Sequence, residues 1–214
     1  MSTTTQAPQS PGAPKTARGA RTRAKILVAA EETFGSLGYH RAGVTDITRA
    51  AGVAQGTFYT YFTSKEEILR ELVMDLGHKL RAHLAAQVIS SGDRLEAEEQ
   101  GLRAFLQYLA DHPSLYRVLQ EAQFVDEAIY QEYYETFARG YTDMLNAAAR
   151  KGEIRAGNNQ HRAWALMGLS HFLGLKYALW DQRAKQGDGA FDPIVETISD
   201  LFRNGLALNG RDKG

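Results

Sequence analysis

The sequence has 214 residues, of which 43% are hydrophobic and 23% are charged, so the chain is long enough to bury a core. It contains no cysteine, which excludes disulfide bonds, thiolate metal sites and a cysteine nucleophile. No apolar run approaches the roughly 18 residues of a membrane-spanning helix, and residues 1–21 hold no apolar segment typical of a secretion signal. We therefore expect a cytoplasmic protein with no membrane partner.

The formal net charge of zero hides an uneven distribution along the chain. Residues 1–65 carry eight lysines and arginines against three acidic residues, whereas residues 66–214 carry seventeen against twenty-two. A basic part joined to an acidic remainder is the distribution expected when one part of a protein contacts a polyanion such as nucleic acid. A basic tail that only aids solubility is the alternative explanation.

The first 20 residues hold three of the five prolines and many Ser, Thr, Ala and Gly residues. This composition is typical of disorder, so we predict a disordered basic arm over residues 1–20. From Arg21 onward, apolar residues recur at helical spacing until Gly38, which we expect to end the first helix in a left-handed conformation.

Two short helices separated by a glycine follow the first helix. We expect Gly52 to form the turn between them, because a left-handed backbone costs glycine little. The second short helix is predicted at about residues 54–62, where Phe58 and Phe62 are four residues apart and share one face, which we expect to be buried. Three helices in this arrangement predict a helix-turn-helix DNA-binding domain over residues 21–66.

The outer face of the second short helix suits the major groove, because the helix is short, has small residues at its start and is polar. Gln55 and Thr57 are placed to reach base edges, and Gly56 removes a side chain where the duplex would come closest. Hydroxyl groups and cations nearby are predicted to contact phosphate; these are on Arg18, Arg21, Arg23, Thr45, Tyr59, Tyr61 and Lys65. Packing of either tyrosine against a neighbouring helix is the alternative.

A longer helix is predicted to begin at Ser64, because Ser64 and Glu67 have the spacing of a capping box. Every later segment also has a helical pattern, with helices expected at about 94–110, 113–122, 126–151, 159–186 and 193–208. Asp192 is the predicted N-cap of the last of these, with Pro193 at its first position. The predicted fold is all-α with about nine helices, and a larger helical domain over residues 67–214 follows the helix-turn-helix.

Residues 22–69 resemble the DNA-binding domain of the tetracycline-repressor (TetR) family of bacterial regulators. The most specific parts are "GYHRAGVTDITRAAGVAQGTFYTYF" and the following "SKEEI"; the family commonly has histidine where Tyr61 stands. The resemblance implies a homodimeric repressor that binds double-stranded operator DNA and is released by a small-molecule effector. It assigns effector binding and dimerisation to the helical domain over residues 67–214. It also implies that the operator contacts are Thr45, Gln55, Gly56, Thr57, Tyr59, Thr60, Tyr61 and Lys65.

Aromatic residues are concentrated in residues 70–214, where a large apolar side chain can belong either to the core or to a ligand cavity. Aromatic and apolar side chains with few convergent charges favour a hydrophobic or aromatic effector, an acyl chain included. For His171, the pattern favours a hydrogen-bonded position in the core, and a place in the ligand cavity is the alternative. The predicted lining residues are Phe105, Tyr108, Tyr116, Phe124, Tyr134, Phe137, Tyr141, Met167, His171 and Phe172.

The last two predicted helices are apolar over more than one face. Extra apolar surface marks a site for a partner, and the family resemblance assigns such helices to a four-helix dimer interface. We therefore predict a homodimer formed through the last two helices. Its operator should be a pseudo-palindrome, because the symmetry of the DNA site mirrors that of the protein.

No metal-binding motif and no phosphate-binding loop is present, and the paired carboxylates are adjacent in sequence, so they point apart on a helix. We predict no metal, no cofactor and no enzymatic activity. An enzyme on a helical scaffold and an adaptor with a basic end are the alternatives from other classes, and a footprint on DNA would distinguish a regulator from both. Among regulators, a transcriptional activator and a ligand-insensitive protein are further alternatives.

Overall fold

The computed structural model describes residues 16–88, 93–182, 187 and 189–205, and within these residues it contains α-helices and no β-strand. The predicted all-α fold is confirmed. The helix predicted at about residues 159–186 differs in type from the structure. It is α-helical from Asn159 to Leu173 and continues as a π-helix from Gly174. The helices are α1 Ala17–Leu37, α2 Val44–Ala51, α3 Gln55–Tyr61, α4 Lys65–Gln87, α5 Arg94–Asp111, α6 Pro113–Val125, α7 Glu127–Arg150, α8 Asn159–Leu173, the π-helix Gly174–Trp180, and α9 Asp192–Asn204.

The chain folds into two compact units, each built from two segments. The amino-terminal unit comprises Met1–Asp75 and Ser114–Tyr130, and the carboxy-terminal unit comprises Leu76–Pro113 and Gln131–Gly214. The helix-turn-helix region thus shares its unit with α6 and with the first part of α4. The compact units do not divide the chain at residue 66. The predicted boundary there, between a DNA-binding and an effector-binding domain, therefore stays a prediction.

The first helix begins earlier than its apolar pattern indicates. Residues 1–15 of the predicted disordered arm lie outside the described residues, but α1 begins at Ala17 because the hydroxyl of Thr16 caps it, accepting the N–H of Gly19 at 3.0 Å. At the other end Gly38 has φ 79° and ψ 151°. Its positive φ agrees with the prediction, but its ψ places it outside the left-handed helical region.

Two other predicted helix starts differ in detail from the structure. Ser64 does cap α4, since its hydroxyl accepts the N–H of Glu67 at 3.1 Å, but the Glu67 carboxylate returns to Thr63 and so does not close the capping box on Ser64. The last helix begins at Asp192, one residue earlier than predicted, with Phe191 as its N-cap.

Helix α6 packs its polar stripe against the end of α1 inside the amino-terminal unit. A Cβ atom on Gly35 would lie 2.5 Å from Cβ of Ser114, and one on Gly38 would lie 3.0 Å from the carboxylate of Glu121. The guanidinium of Arg117 donates to the carbonyl of Gly35 at 3.3 Å. Gly35 of α1 and Gly38, just after its end, therefore permit a close approach by three α6 side chains that recur at helical spacing.

The carboxy-terminal unit is held together by buried polar contacts as well as by apolar packing. The Arg94 guanidinium donates to the buried Glu98 carboxylate at 2.8 and 2.6 Å, and the hydroxyl of Tyr141 donates to the same carboxylate. Burial, together with this carboxylate, raises the pKa of Tyr141 well above its usual value. The hydroxyl therefore stays protonated and available as a donor.

Candidate nucleic-acid interface

Helices α2 and α3 meet at a glycine turn of the predicted kind. Gly52 has φ 66° and ψ 36°, which is the left-handed conformation, and the N–H of Val53 donates to the carbonyl of Thr48 at 3.0 Å. The turn is tight because a left-handed residue reverses the chain without a steric penalty at glycine. It brings α3 to an angle against α2, as a helix-turn-helix requires.

One face of α3 is anchored in the core of the amino-terminal unit. Phe58 and Phe62, just after the helix end, are both 0% exposed, and their ring centres lie 5.6 Å apart. Ile47 of α2 is also fully buried. The predicted inward face of α3 is therefore found, and it fixes which side chains of this short helix point away from the protein.

The opposite face of α3 is exposed and carries the predicted base readers. Gln55 and Gly56 are exposed and Thr57 is half-buried. A Cβ atom on Gly56 would meet no atom within 4 Å, so the space in front of the helix start is open. This side of α3 presents amide and hydroxyl groups, which are the groups that bond to base edges in the major groove.

The hydroxyl-bearing residues around α3 differ in how available they are. Tyr59 is 50% exposed, with its ring edge-on to Phe58 at 5.3 Å, and Tyr61 is half-buried. Thr45 is exposed in the first turn of α2. The Thr60 hydroxyl donates to the carbonyl of Gly56 at 3.1 Å, so a bond from it to phosphate would require this internal bond to break.

The three arginines predicted to contact phosphate differ in their surroundings. Arg18 and Arg21 are exposed on the first turns of α1. Arg23 is instead paired with the carboxylate of Glu71 in α4, and its guanidinium lies 5.0 Å from the centre of the Phe62 ring. Its charge is compensated inside the protein, so a bond from Arg23 to phosphate would compete with Glu71, and its phosphate role stays a prediction.

Lys65 is likewise not a free cation. Its ammonium donates to the carbonyls of Tyr39 and Ala42 at 2.8 and 3.1 Å, and it lies 4.1 Å from the centre of the Tyr39 ring. The side chain reaches back to the turn between α1 and α2 because that turn leaves carbonyl groups uncovered next to the start of α4. A phosphate contact by Lys65 therefore stays a prediction, and it would have to coexist with these two bonds inside the protein.

Tyr39 is the residue at this interface that sequence reasoning missed. It is 4% exposed, and its hydroxyl donates to the Glu66 carboxylate at 2.9 Å. Burial and the adjacent carboxylate raise the pKa of Tyr39 well above its usual value. Bonds from its own backbone N–H and from Tyr39 lower the pKa of Glu66. The tyrosine thus stays a donor and the glutamate an acceptor.

The residues predicted to line an effector site are distributed over both compact units. Tyr116 is buried and Phe124 is 81% exposed in the amino-terminal unit, while in the carboxy-terminal unit Phe172 is 69% exposed. At these exposures both phenylalanines face solvent, so their part in an effector site stays a prediction. The remaining predicted residues lie in the carboxy-terminal unit: Phe105, Tyr108, Tyr134, Phe137, Tyr141, Met167 and His171.

Several of these residues are engaged with neighbours inside the carboxy-terminal unit. The Tyr134 hydroxyl lies 3.2 Å from Nδ1 of His171, and burial lowers the pKa of His171, so this imidazole is neutral near pH 7. Tyr108 packs between His83 and His112, with ring centres 4.9 and 4.5 Å away. Phe105 lies 3.1 Å from where a Cβ atom of Gly174 would stand.

A groove of about 300 Å³ opens on the carboxy-terminal unit, and none of the predicted effector residues lines it. Its lining combines apolar side chains with charged ones of both signs; the lining residues are Val88, Asp93, Arg94, Ala97, Met144, Ala147, Ala148, Lys151 and Glu153. In the described ranges, no helix is long and apolar enough to cross a bilayer. The same residues hold no group of three or more metal-ligating side chains.

Comparisons with known proteins agree with the helix-turn-helix geometry. The family model described as "Bacterial regulatory proteins, tetR family" matches residues 26–72. The HTH-type transcriptional regulator YvdT of Bacillus subtilis (strain 168) is 30% identical over 149 residues, covering 63% of this chain and 71% of that protein. The HTH-type transcriptional activator FasR of Mycolicibacterium smegmatis is 24% identical over 175 residues, covering 81% and 80%.

A solved structure extends the similarity in fold to both units. The transcriptional regulator FadR from Bacillus subtilis, in complex with stearoyl-CoA, superposes with a TM-score of 0.70 at 22% identity, covering 86% of this chain and 99% of that chain. At this identity the likeness shows the fold alone. With the exposed polar face of α3 and the sequence matches to regulators, it leads to one conclusion: the chain belongs to the tetR family of bacterial DNA-binding transcriptional regulators.

Proposed function

We propose that this regulator is a sequence-specific repressor that binds a pseudo-palindromic operator as a homodimer and releases it when a small hydrophobic or aromatic effector binds. The observation that carries the proposal is the two-sided character of α3, with Phe58 fully buried on one face and Gln55 and Gly56 exposed on the other. A regulator of this kind acts in the cytoplasm, where bacterial DNA is found.

A homodimer is supported by an exposed apolar stripe on α8 and the π-helix. Trp164, Phe172 and Trp180 are 40%, 69% and 68% exposed, and they are spaced eight residues apart along the continuous helix. Gly168 lies between the first two, and no atom is near its Cβ position, so another helix can approach closely. A second copy of the chain pairing through α8 and α9 would cover these side chains and hold two α3 helices roughly 34–36 Å apart.

The effector is proposed to bind in the carboxy-terminal unit, and a fatty acyl group is the leading candidate. The predicted lining there is aromatic, and its one imidazole is neutral because burial lowers the pKa of His171. FadR of Bacillus subtilis, which shares the fold, was solved with stearoyl-CoA. Activation of transcription is the second candidate function, because FasR, matched over 81% of this chain, is named an activator.

Replacing Gln55 by alanine should relax the base preference of the protein at one or two positions in each half of the operator. A glutamine that bonds to a base contributes roughly 1–3 kcal/mol of discrimination, and it pairs best with adenine. The preferred duplex would first be selected from a random pool with the wild-type protein, and the selection would then be repeated with Gln55→Ala. An equal loss of affinity for all duplexes would show instead that Gln55 contacts the DNA backbone.

Stearoyl-CoA should lower the affinity of the wild-type protein for its selected duplex, because an effector releases DNA only if it prefers the non-binding conformation. Fluorescence anisotropy with labelled duplex would report DNA release, and thermal unfolding would report ligand binding in the same samples. Free coenzyme A serves as the control for the acyl chain. A ligand that raises the unfolding temperature without releasing DNA would contradict effector-controlled repression and leave a DNA-binding dimer.

A further inference from the structure

Lys65 has most of its hydrogen-bonding capacity engaged inside the protein. An ammonium group has three donors, and two of those on Lys65 are directed at the carbonyls of Tyr39 and Ala42, at 2.8 and 3.1 Å. The charge also lies 4.1 Å from the face of the Tyr39 ring, which attracts a cation. At most one donor of Lys65 is left for a phosphate group.

The same turn is held by two other side chains. The hydroxyl of Tyr39 donates to the Glu66 carboxylate at 2.9 Å, and the backbone N–H of Tyr39 donates to the carboxylate of Glu121 in α6. Tyr39 itself is 4% exposed, so its side chain is held inside the protein while the Glu66 carboxylate stays in contact with solvent. We call this group of Tyr39, Lys65, Glu66 and Glu121 the turn clamp.

The clamped turn leads directly into the first DNA-facing helix. Ala42 is buried, and the N–H of Gly43 donates to the Asp46 carboxylate at 3.0 Å, which caps α2. Thr45, exposed in the first turn of α2, follows two residues later. Since α2 is joined to α3 by the rigid turn at Gly52, a displacement at residues 38–43 would move both helices together.

We propose that Lys65 is a positioning residue for sequence reading and not primarily a phosphate contact. It fixes the turn between α1 and α2, and through that turn it sets the angle at which α2 and α3 meet the duplex. The proposal rests on the DNA-binding function given above and specifies how that function is controlled. Because Glu121 lies on α6, a movement of α6 would reach the DNA-facing helices through a direct hydrogen bond to Tyr39.

A phosphate contact and a positioning role for Lys65 predict different losses of DNA affinity when the residue is replaced. Loss of a phosphate contact weakens binding to all sequences alike and reduces the slope of log affinity against log salt by about one. Loss of a positioning residue lowers the fraction of protein that is competent to read the preferred sequence. If the helices are correctly placed about one tenth of the time without the clamp, Kd for the preferred duplex rises about tenfold.

The test compares Lys65→Met and Tyr39→Phe with wild type on two duplexes of equal length. One is the preferred duplex that the wild type selects from a random pool, and the other is unrelated to it. Tyr39→Phe loses only the hydroxyl bond to Glu66 and changes no charge, so it carries the test if Lys65→Met does not fold. Arg21→Ala removes an exposed charge from α1 and is the control for a lost phosphate contact.

Affinities would be measured by fluorescence anisotropy over a range of salt concentrations. We expect Lys65→Met to raise Kd about tenfold on the preferred duplex, with an unchanged salt slope and an unchanged Kd on the unrelated duplex. Tyr39→Phe should change affinity in the same direction by a smaller factor. For the double variant, Kd on the preferred duplex should rise by less than the product of the two single-variant factors, since both residues act on one turn.

Three results would each decide the matter differently. An equal loss on both duplexes with a slope reduced by about one would show that Lys65 contacts phosphate. Unchanged affinity of both variants for the preferred duplex would show that the clamp has no part in DNA reading, and either result overturns this inference alone. A wild type that prefers no duplex would refute sequence-specific binding, and the inference with it.

Discussion

A Phe172→Glu variant should be a monomer that binds its operator about 100-fold more weakly than the wild type does. Phe172 is 69% exposed on α8, on the same stripe as Trp164 at 40%. A glutamate there would have to lose its water on dimerisation without gaining a partner, which opposes assembly. A monomer presents one α3 helix where the dimer presents two, and linking two binding modules raises affinity by roughly 10²–10⁴.

Sedimentation velocity would measure the oligomeric state, and anisotropy at the same protein concentration would measure operator affinity. Met144→Glu is the matched control, because Met144 is 51% exposed in the same compact unit but lies on α7. It should stay dimeric with its operator affinity unchanged. A dimeric Phe172→Glu variant, or a monomer with wild-type affinity, would contradict the proposed dimer interface.

A Phe58→Ala variant should lose about 3–5 kcal/mol of unfolding free energy, which is the cost of removing a large buried aromatic side chain and leaving a cavity. Phe58 is 0% exposed and contacts the rings of Tyr59 and Phe62. Its loss removes the anchor of α3, so specific DNA binding should fall with stability. The effect should be visible even in a stable protein, because the whole free energy of unfolding is only about 5–15 kcal/mol.

Phe124→Ala provides a matched control for this experiment. Phe124 belongs to the same compact unit but is 81% exposed, so the same chemical change should cost within about 0.5 kcal/mol. Urea unfolding would be followed by circular dichroism at one fixed protein concentration, because dimerisation makes stability depend on concentration. A similar loss for both variants would show that α3 is not anchored by Phe58.

The helix-turn-helix could be predicted because its signals are local. The spacing of Phe58 and Phe62, the glycine at position 52 and the short polar stretch between them all act within a few residues. The structure confirms the buried face of α3 and the left-handed turn at Gly52. The start of α1 was misplaced because its cap, Thr16, lies in a stretch whose composition resembles disorder.

The roles of the cations could not be predicted from the same local signals. Arg23 and Lys65 are cationic residues near the helix-turn-helix, which is the pattern expected of phosphate contacts. Their ion-pair and hydrogen-bond partners inside the protein, however, are distant in sequence. Arg23 pairs with Glu71, and Lys65 donates to carbonyls 26 and 23 residues away. The bond from Tyr39 to Glu121 spans 82 residues. No sequence periodicity encodes such contacts, because they depend on how the helices pack.

The effector site was harder to predict for another reason. An aromatic side chain on a helix has the same sequence signature in a core, a cavity wall or a dimer interface. The structure distinguishes Tyr116, which is 6% exposed, from Phe124 and Phe172, which are 81% and 69% exposed. Neither spacing nor composition separated these three residues. A partner chain or a bound effector would change the exposure of the last two without any change in their helices.

The two-segment construction of the amino-terminal unit has a consequence for synthesis on the ribosome. Chains emerge from their amino terminus, so α1, α2 and α3 are made well before Arg117 and Glu121, which complete the contacts at the end of α1 and at Tyr39. The compact unit that contains the helix-turn-helix cannot fold completely until its second segment, Ser114–Tyr130, has been synthesised. A chain that terminates before α6 therefore carries an intact helix-turn-helix sequence in an incomplete folding unit.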